Sequence, residues 1–167
     1  MAKHHNVIVK IINNTRFDMR YSASWYDSGR VADYSSWPQT IRSHETIEVH
    51  NYERDWALAG CSGYVTYVVD GTDVTIGFSN PSSGSNKLGV GTEGKCVWDH
   101  MSSHSYQQFQ TFVNTKNTSA AILFYLQCTG GTINRCNVTM ETASSNKAVP
   151  VECSEGAARY RRCNSEI

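Results

Sequence analysis

The chain has 167 residues, with Lys plus Arg and Asp plus Glu equal at 15 each. That length makes one domain whose single core buries roughly 70% of the unfolded surface, and the balanced charge excludes attraction of nucleic acid or an anionic membrane by bulk electrostatics. No apolar run approaches the ~20 residues of a membrane helix, and the start, MAKHHNVIVKII, lacks the length and cleavage site of a signal peptide.

In chain order, Val7, Val9 and Ile11 alternate with Ile8, Lys10 and Ile12, which predicts a first strand ending at the turn-forming Asn13-Asn14. Phe17 to Tyr26 reads as a second strand closed by Asp27-Ser28-Gly29, and Arg30 to Pro38 as a loop. Thr40 to Tyr52 carries Ile41, Ile47 and Val49 at strand spacing. In Gly60 to Phe78, Val65, Tyr67 and Val69 oppose Tyr64, Thr66 and Val68 on a period-2 strand, Asp70-Gly71 breaks it, and Val74, Ile76 and Phe78 resume the alternation. This is a hairpin, with Thr72 and Asp73 expected to lengthen its loop beyond two residues. Ser79 to Gly89 has almost no apolar content and is expected at the surface.

Cys96 to Phe112 is the one plausible helix, with Val97, Met101, His104, Gln108 and Phe112 three to four residues apart, although Ser102-Ser103 are poor helix formers. Ala120 to Gln127 and Asn134 to Thr142 read as a last hairpin. The chain divides into a sandwich over residues 1–143 and a cysteine-containing polar tail over 144–167. Many short strands with regular turn signals favour an antiparallel sandwich over a βαβ plan.

Cys61, Cys96, Cys128, Cys136, Cys153 and Cys163 contain no C-x-x-C and no zinc-type Cys/His pairing, so disulfides are the expectation and a metal or other cofactor is not. Sequons at Asn13, Asn117 and Asn137 agree with a secreted, extracellular origin. The connectivity stays open. Cys128 and Cys136 flank the Gly130-Gly131 turn and are one candidate pair, and Cys153 with Cys163 is another.

Taken together, Trp25-Tyr26-Asp27-Ser28-Gly29, Gly60-x-x-Gly63-x-x-x-Tyr67 and Phe78-Ser79-Asn80-Pro81 resemble, in order and spacing, the actinoporin-like superfamily, which includes sea-anemone cytolysins; fungal fruit-body lectins have a similar sandwich. Ser85-Asn86 resembles the family's following Ser-Asn, Trp98-Asp99-His100-Met101 falls where the family has a short helix, and Leu123 to Met140 resembles its closing hairpin. The resemblance covers about residues 7–142. It implies a mainly β fold, an actinoporin-like antiparallel β-sandwich with one or two short helices.

It also implies recognition rather than catalysis: a phosphocholine head group, above all of sphingomyelin, held by aromatic faces at the quaternary ammonium and by hydroxyls at the phosphate. By position the ligand-binding set is Ser79, Pro81, Ser85, Asn86, Trp98, Ser102 and Ser103. The family's aromatic loop becomes Ser82-Ser83-Gly84, its paired tryptophans fall at Lys87-Leu88, and its last two tyrosines fall at Ser102-Ser103. Binding to a choline membrane by the usual route should therefore be weakened or redirected. Only Met1 to Asn6 precede Val7 where family cytolysins carry a pore-lining helix, so no pore is expected from this N-terminus.

Blander readings stand beside these. Trp98 also suits a helix residue packed on the sandwich, Ser79 and Pro81 a turn, His100 and His104 a solvated pair, and Arg159, Arg161 and Arg162 a solvated tail. No catalytic motif is present, and Glu45, Glu48, Glu53 and Asp55 should be scattered by strand alternation, so an enzyme is not expected. The expected partner is a membrane lipid head group or, alternatively, a cell-surface glycan held by Ser82 to Lys87 with nearby aromatics. Nucleic acid is not expected as a partner, and a homo-oligomer is left open.

Overall fold

Two sheets face each other in the computed structural model, which describes residues 4–55, 59–101 and 109–143. The first has the order β3 (Arg30–Val31), β5 (Thr46–Tyr52), β1 (Asn6–Asn14), β11 (Ile133–Thr142), β10 (Ala121–Gln127) and β9 (Phe109–Asn114). The second has the order β4 (Thr40–Ile41), β2 (Met19–Ser28), β6 (Gly60–Val69), β7 (Thr72–Pro81) and β8 (Lys87–Gly91). Alternation explains the layering: Val7, Val9 and Ile11 of β1 and Val138 and Met140 of β11 meet Val65, Tyr67, Val69, Val74, Ile76 and Phe78 of the hairpin in one fully buried core. The mainly β sandwich, with one short helix among the described residues, is as expected, but β1 pairs in parallel with β11, joining two chain-distant strands within the first sheet.

Several expectations change. The hairpin turn is Asp70-Gly71 alone, since Val69 opposes Thr72; both turn residues have positive φ, 46° and 77°, which matches the right-handed strand twist. Thr40 to Tyr52 is broken rather than continuous. His44 stands at φ 64° and donates its amide to the Asn13 carbonyl, while Asn13 Nδ2 donates to the Phe17 and Arg42 carbonyls. That commits the first sequon's side chain to the interior. Arg30–Val31 pairs with β5 inside the stretch read as loop.

The helix is shorter than its period suggested. α1 spans Gly94–His100, Glu93 caps it by accepting the Lys95 and Cys96 amides, and the Met101 backbone leaves in an extended conformation. Phe109–Asn114 is strand β9, because its pairing with β10 outweighs a weak helical period. Residues 102–108, including Ser102, Ser103 and His104, lie outside the described residues, as do Cys153, Cys163 and the arginine cluster of the tail.

The proposed Cys128–Cys136 bridge is not formed. Both are buried thiols, as is Cys61, and the Cys128 Sγ–H points at the Asn86 carbonyl, 4.0 Å away. Burial pushes the Cys61 thiol up to about 12 and Cys136 well above its usual range. These cysteines behave as small core side chains.

Candidate functional site

The two-residue turn sets the register that builds the site. With Val69 opposite Thr72, Tyr64 opposes Gly77, Ser62 opposes Ser79 and Gly60 opposes Pro81. β2 adds Trp25 beside Tyr64 and Ser28 beside Ser62, and β8 adds Gly89 beside Gly77 and Lys87 beside Ser79. Opposed residues share a face. Since Val65, Tyr67, Ile76 and Phe78 fill the core, these two rows point outward from the five-stranded sheet.

The first row is aromatic at its β2 end and glycine at its β8 end. Trp25 stacks on Tyr64 at 5.2 Å between ring centroids, and Trp98 of α1 meets Trp25 edge-on at 5.1 Å. Trp25 is 41% exposed, so this is an open aromatic surface. Glycines let α1 sit close enough to complete it: a Cβ at Gly77 would lie 2.8 Å from Val97 Cγ1, and one at Gly94 would lie 2.7 Å from the Tyr64 ring.

The second row, Ser28–Ser62–Ser79–Lys87, is polar. Ser62 Oγ and Ser79 Oγ are 2.7 Å apart and both residues are buried. Whichever hydroxyl donates, its partner keeps a proton for another acceptor. The row's backbone is fixed from across the sandwich, because Asn134 Nδ2 donates to the Ser79 carbonyl at 2.8 Å and to the Lys87 carbonyl at 3.2 Å.

Beyond Pro81 lies a cleft of about 420 Å³ lined by His5, Asn80 to Asn86 and Gly130 to Thr132. Ser79 to Gly89 is therefore not one surface loop. Ser79, Asn80 and Asn86 are buried, Leu88 and Val90 belong to the core on β8, and Ser82 to Ser85 and Lys87 are exposed. Asn80 Nδ2 donates to the Asn6 and Thr132 carbonyls and Asn86 Nδ2 to the Thr129 and Gly131 carbonyls, riveting the cleft walls together. Behind it, buried Glu53 accepts from the His4 amide at 2.8 Å and contacts His5 Nδ1 at 3.1 Å. Burial raises its carboxyl pKa, but these bonds offset that and hold it below the usual value.

Of the residues expected in the site, Ser79 lies in the hydroxyl row and Trp98 in the aromatic cluster, while Pro81, Ser85 and Asn86 line the cleft. Asn86 spends its amide on the fold. Sequence reasoning missed Tyr64, Ser62 and Ser28 as neighbours of Ser79 and Trp98, and Lys87 as part of the same row. Counting outward from a two-residue Asp70-Gly71 turn would have found Ser62 and Tyr64.

No protein-family model matches the sequence, and comparison with curated proteins finds no relative. Solved structures do resemble the fold. The crystal structure of the lipid binding protein Nakanori superposes with a TM-score of 0.68 at 12% identity, covering 83% of this chain and 72% of that one. RahU protein in complex with a TRIS molecule gives 0.55 at 13% identity, covering 87% and 100%. IP-1A from Alcaligenes faecalis gives 0.53 at 12% identity, covering 86% and 94%. At such identities the likeness concerns the architecture alone, a mainly β sandwich.

Proposed function

We propose that the chain is a non-catalytic, extracellular binding protein that holds a phosphocholine-type lipid head group, such as that of sphingomyelin, on the outer face of its five-stranded sheet. The observation that carries this reading is the adjacency, fixed by strand register, of the open Trp25–Tyr64–Trp98 cluster and the Ser62–Ser79 hydroxyl pair. Aromatic faces attract a quaternary ammonium that has no hydrogen to donate, and a hydroxyl proton meets the phosphate. The architecture shared with Nakanori, described as a lipid binding protein, supports the same reading. Asn117 and Asn137, exposed in their sequons, fit an extracellular setting.

The polar cleft favours a second reading, a glycan-binding lectin, because the Ser82, Ser83, Ser85 and Thr132 side chains there match the donor and acceptor pattern of sugar hydroxyls. Flotation with sphingomyelin liposomes, dye release from the same liposomes and a glycan array separate the readings. Flotation supports the head-group site, and release adds perforation to it. A glycan hit without flotation overturns the lipid reading in favour of the lectin.

A further inference from the structure

We infer that Lys87 tunes the outer-face site toward a lipid phosphomonoester rather than a zwitterionic choline diester, an inference that rests on the head-group reading above. Lys87 opposes Ser79 on the edge strand β8, so its side chain leaves the sheet on the face that carries the hydroxyl pair, one strand spacing of ~4.8 Å away. Asn134 holds the Lys87 and Ser79 carbonyls together, which fixes the root of the ammonium relative to the hydroxyls.

The Lys87 charge is uncommitted. It is exposed and forms no ion pair among the described residues. The acids of the neighbouring helix are engaged: Glu93 caps α1, and Asp99 pairs with Lys95 at 2.6 Å. A choline diester brings its own cation, whereas a phosphomonoester carries about −1.5 to −2 charges at neutral pH and gains more from an added ammonium. At an exposed position that gain amounts to about fivefold in affinity.

Flotation is compared on choline-free phosphatidylethanolamine vesicles doped with sphingomyelin, with ceramide phosphate, or with phosphatidylglycerol matched to the ceramide phosphate surface charge. The wild type should favour ceramide phosphate over both others, and Lys87→Gln should lower the ratio of ceramide phosphate to sphingomyelin flotation about fivefold, which removes that preference. Soluble glycerol phosphate should compete the ceramide phosphate signal down to the sphingomyelin level. Equal flotation on phosphatidylglycerol, no competition by glycerol phosphate, or a preference that survives in Lys87→Gln would each overturn the inference. Trp25→Ala tests the underlying reading separately. If it floats as well as the wild type on all vesicles, the head-group site fails; if it floats on none while Lys87→Gln keeps the preference, only the role of Lys87 fails.

Discussion

Ser62 Oγ and Ser79 Oγ lie 2.7 Å apart across the β6–β7 ladder, buried at the edge of an open aromatic surface. The pair is both a piece of fold and the floor of the proposed site, so the two roles separate in mutants. Ser79→Ala leaves the Ser62 hydroxyl buried without its partner and should cost about 1–3 kcal/mol in urea unfolding. The double change to Ala should cost less than the two single changes summed, which a double-mutant cycle measures directly.

Gly77 is where α1 rests on the sheet. In Gly77→Val the added side chain meets Val97 Cγ1, the helix must lift, and Trp98 should part from Trp25. Overpacking of this kind costs about 1–3 kcal/mol. The near-ultraviolet circular dichroism of the stacked rings should fall, and vesicle flotation with it, while far-ultraviolet strand signal persists.

Buried Glu53 couples the start of β1 to pH. Its folded carboxyl is held below the ordinary 4.5, so it binds fewer protons folded than unfolded just below that value. Its contribution is therefore full above about 4.5 and is lost as pH falls through the lower folded value. Urea midpoints measured across the acid range should show Glu53→Gln less stable at neutral pH, with a shallower decline on acidification. An unchanged acid limb would contradict the coupling.

Cys61, Cys128 and Cys136 should resist iodoacetamide in the native protein and react fully once it is unfolded without reductant, since burial keeps them as shielded thiols. Peptide mass mapping before and after unfolding checks this. A Cys128–Cys136 crosslink recovered from the native protein would contradict it.

Much of the scaffold was legible because alternation and turn chemistry act locally. Val7 to Ile11, the Asp70-Gly71 hairpin and the closing hairpin each carry their pattern in a few residues. What escaped depends on partners distant in sequence. Phe109–Asn114 is a strand because β10 supplies its hydrogen bonds, and Ser79 is buried because Ser62 and Asn134 close over it. The same holds for the site: Ser79 and Trp98 were readable one at a time, but their adjacency to Tyr64, Trp25 and Lys87 is a property of register. A wrong turn length by two residues displaces every such neighbour.

The most direct test is a titration of isotope-labelled protein with soluble phosphocholine, followed by NMR. The indole N–H signals of Trp25 and Trp98 and the amides of Ser62, Ser79 and Lys87 should shift together and saturate with one affinity, while the outer face of the six-stranded sheet stays unmoved. Shifts confined to Ser82 to Asn86 and Gly130 to Thr132, or no shift at the two tryptophans, would contradict a head-group site on this face.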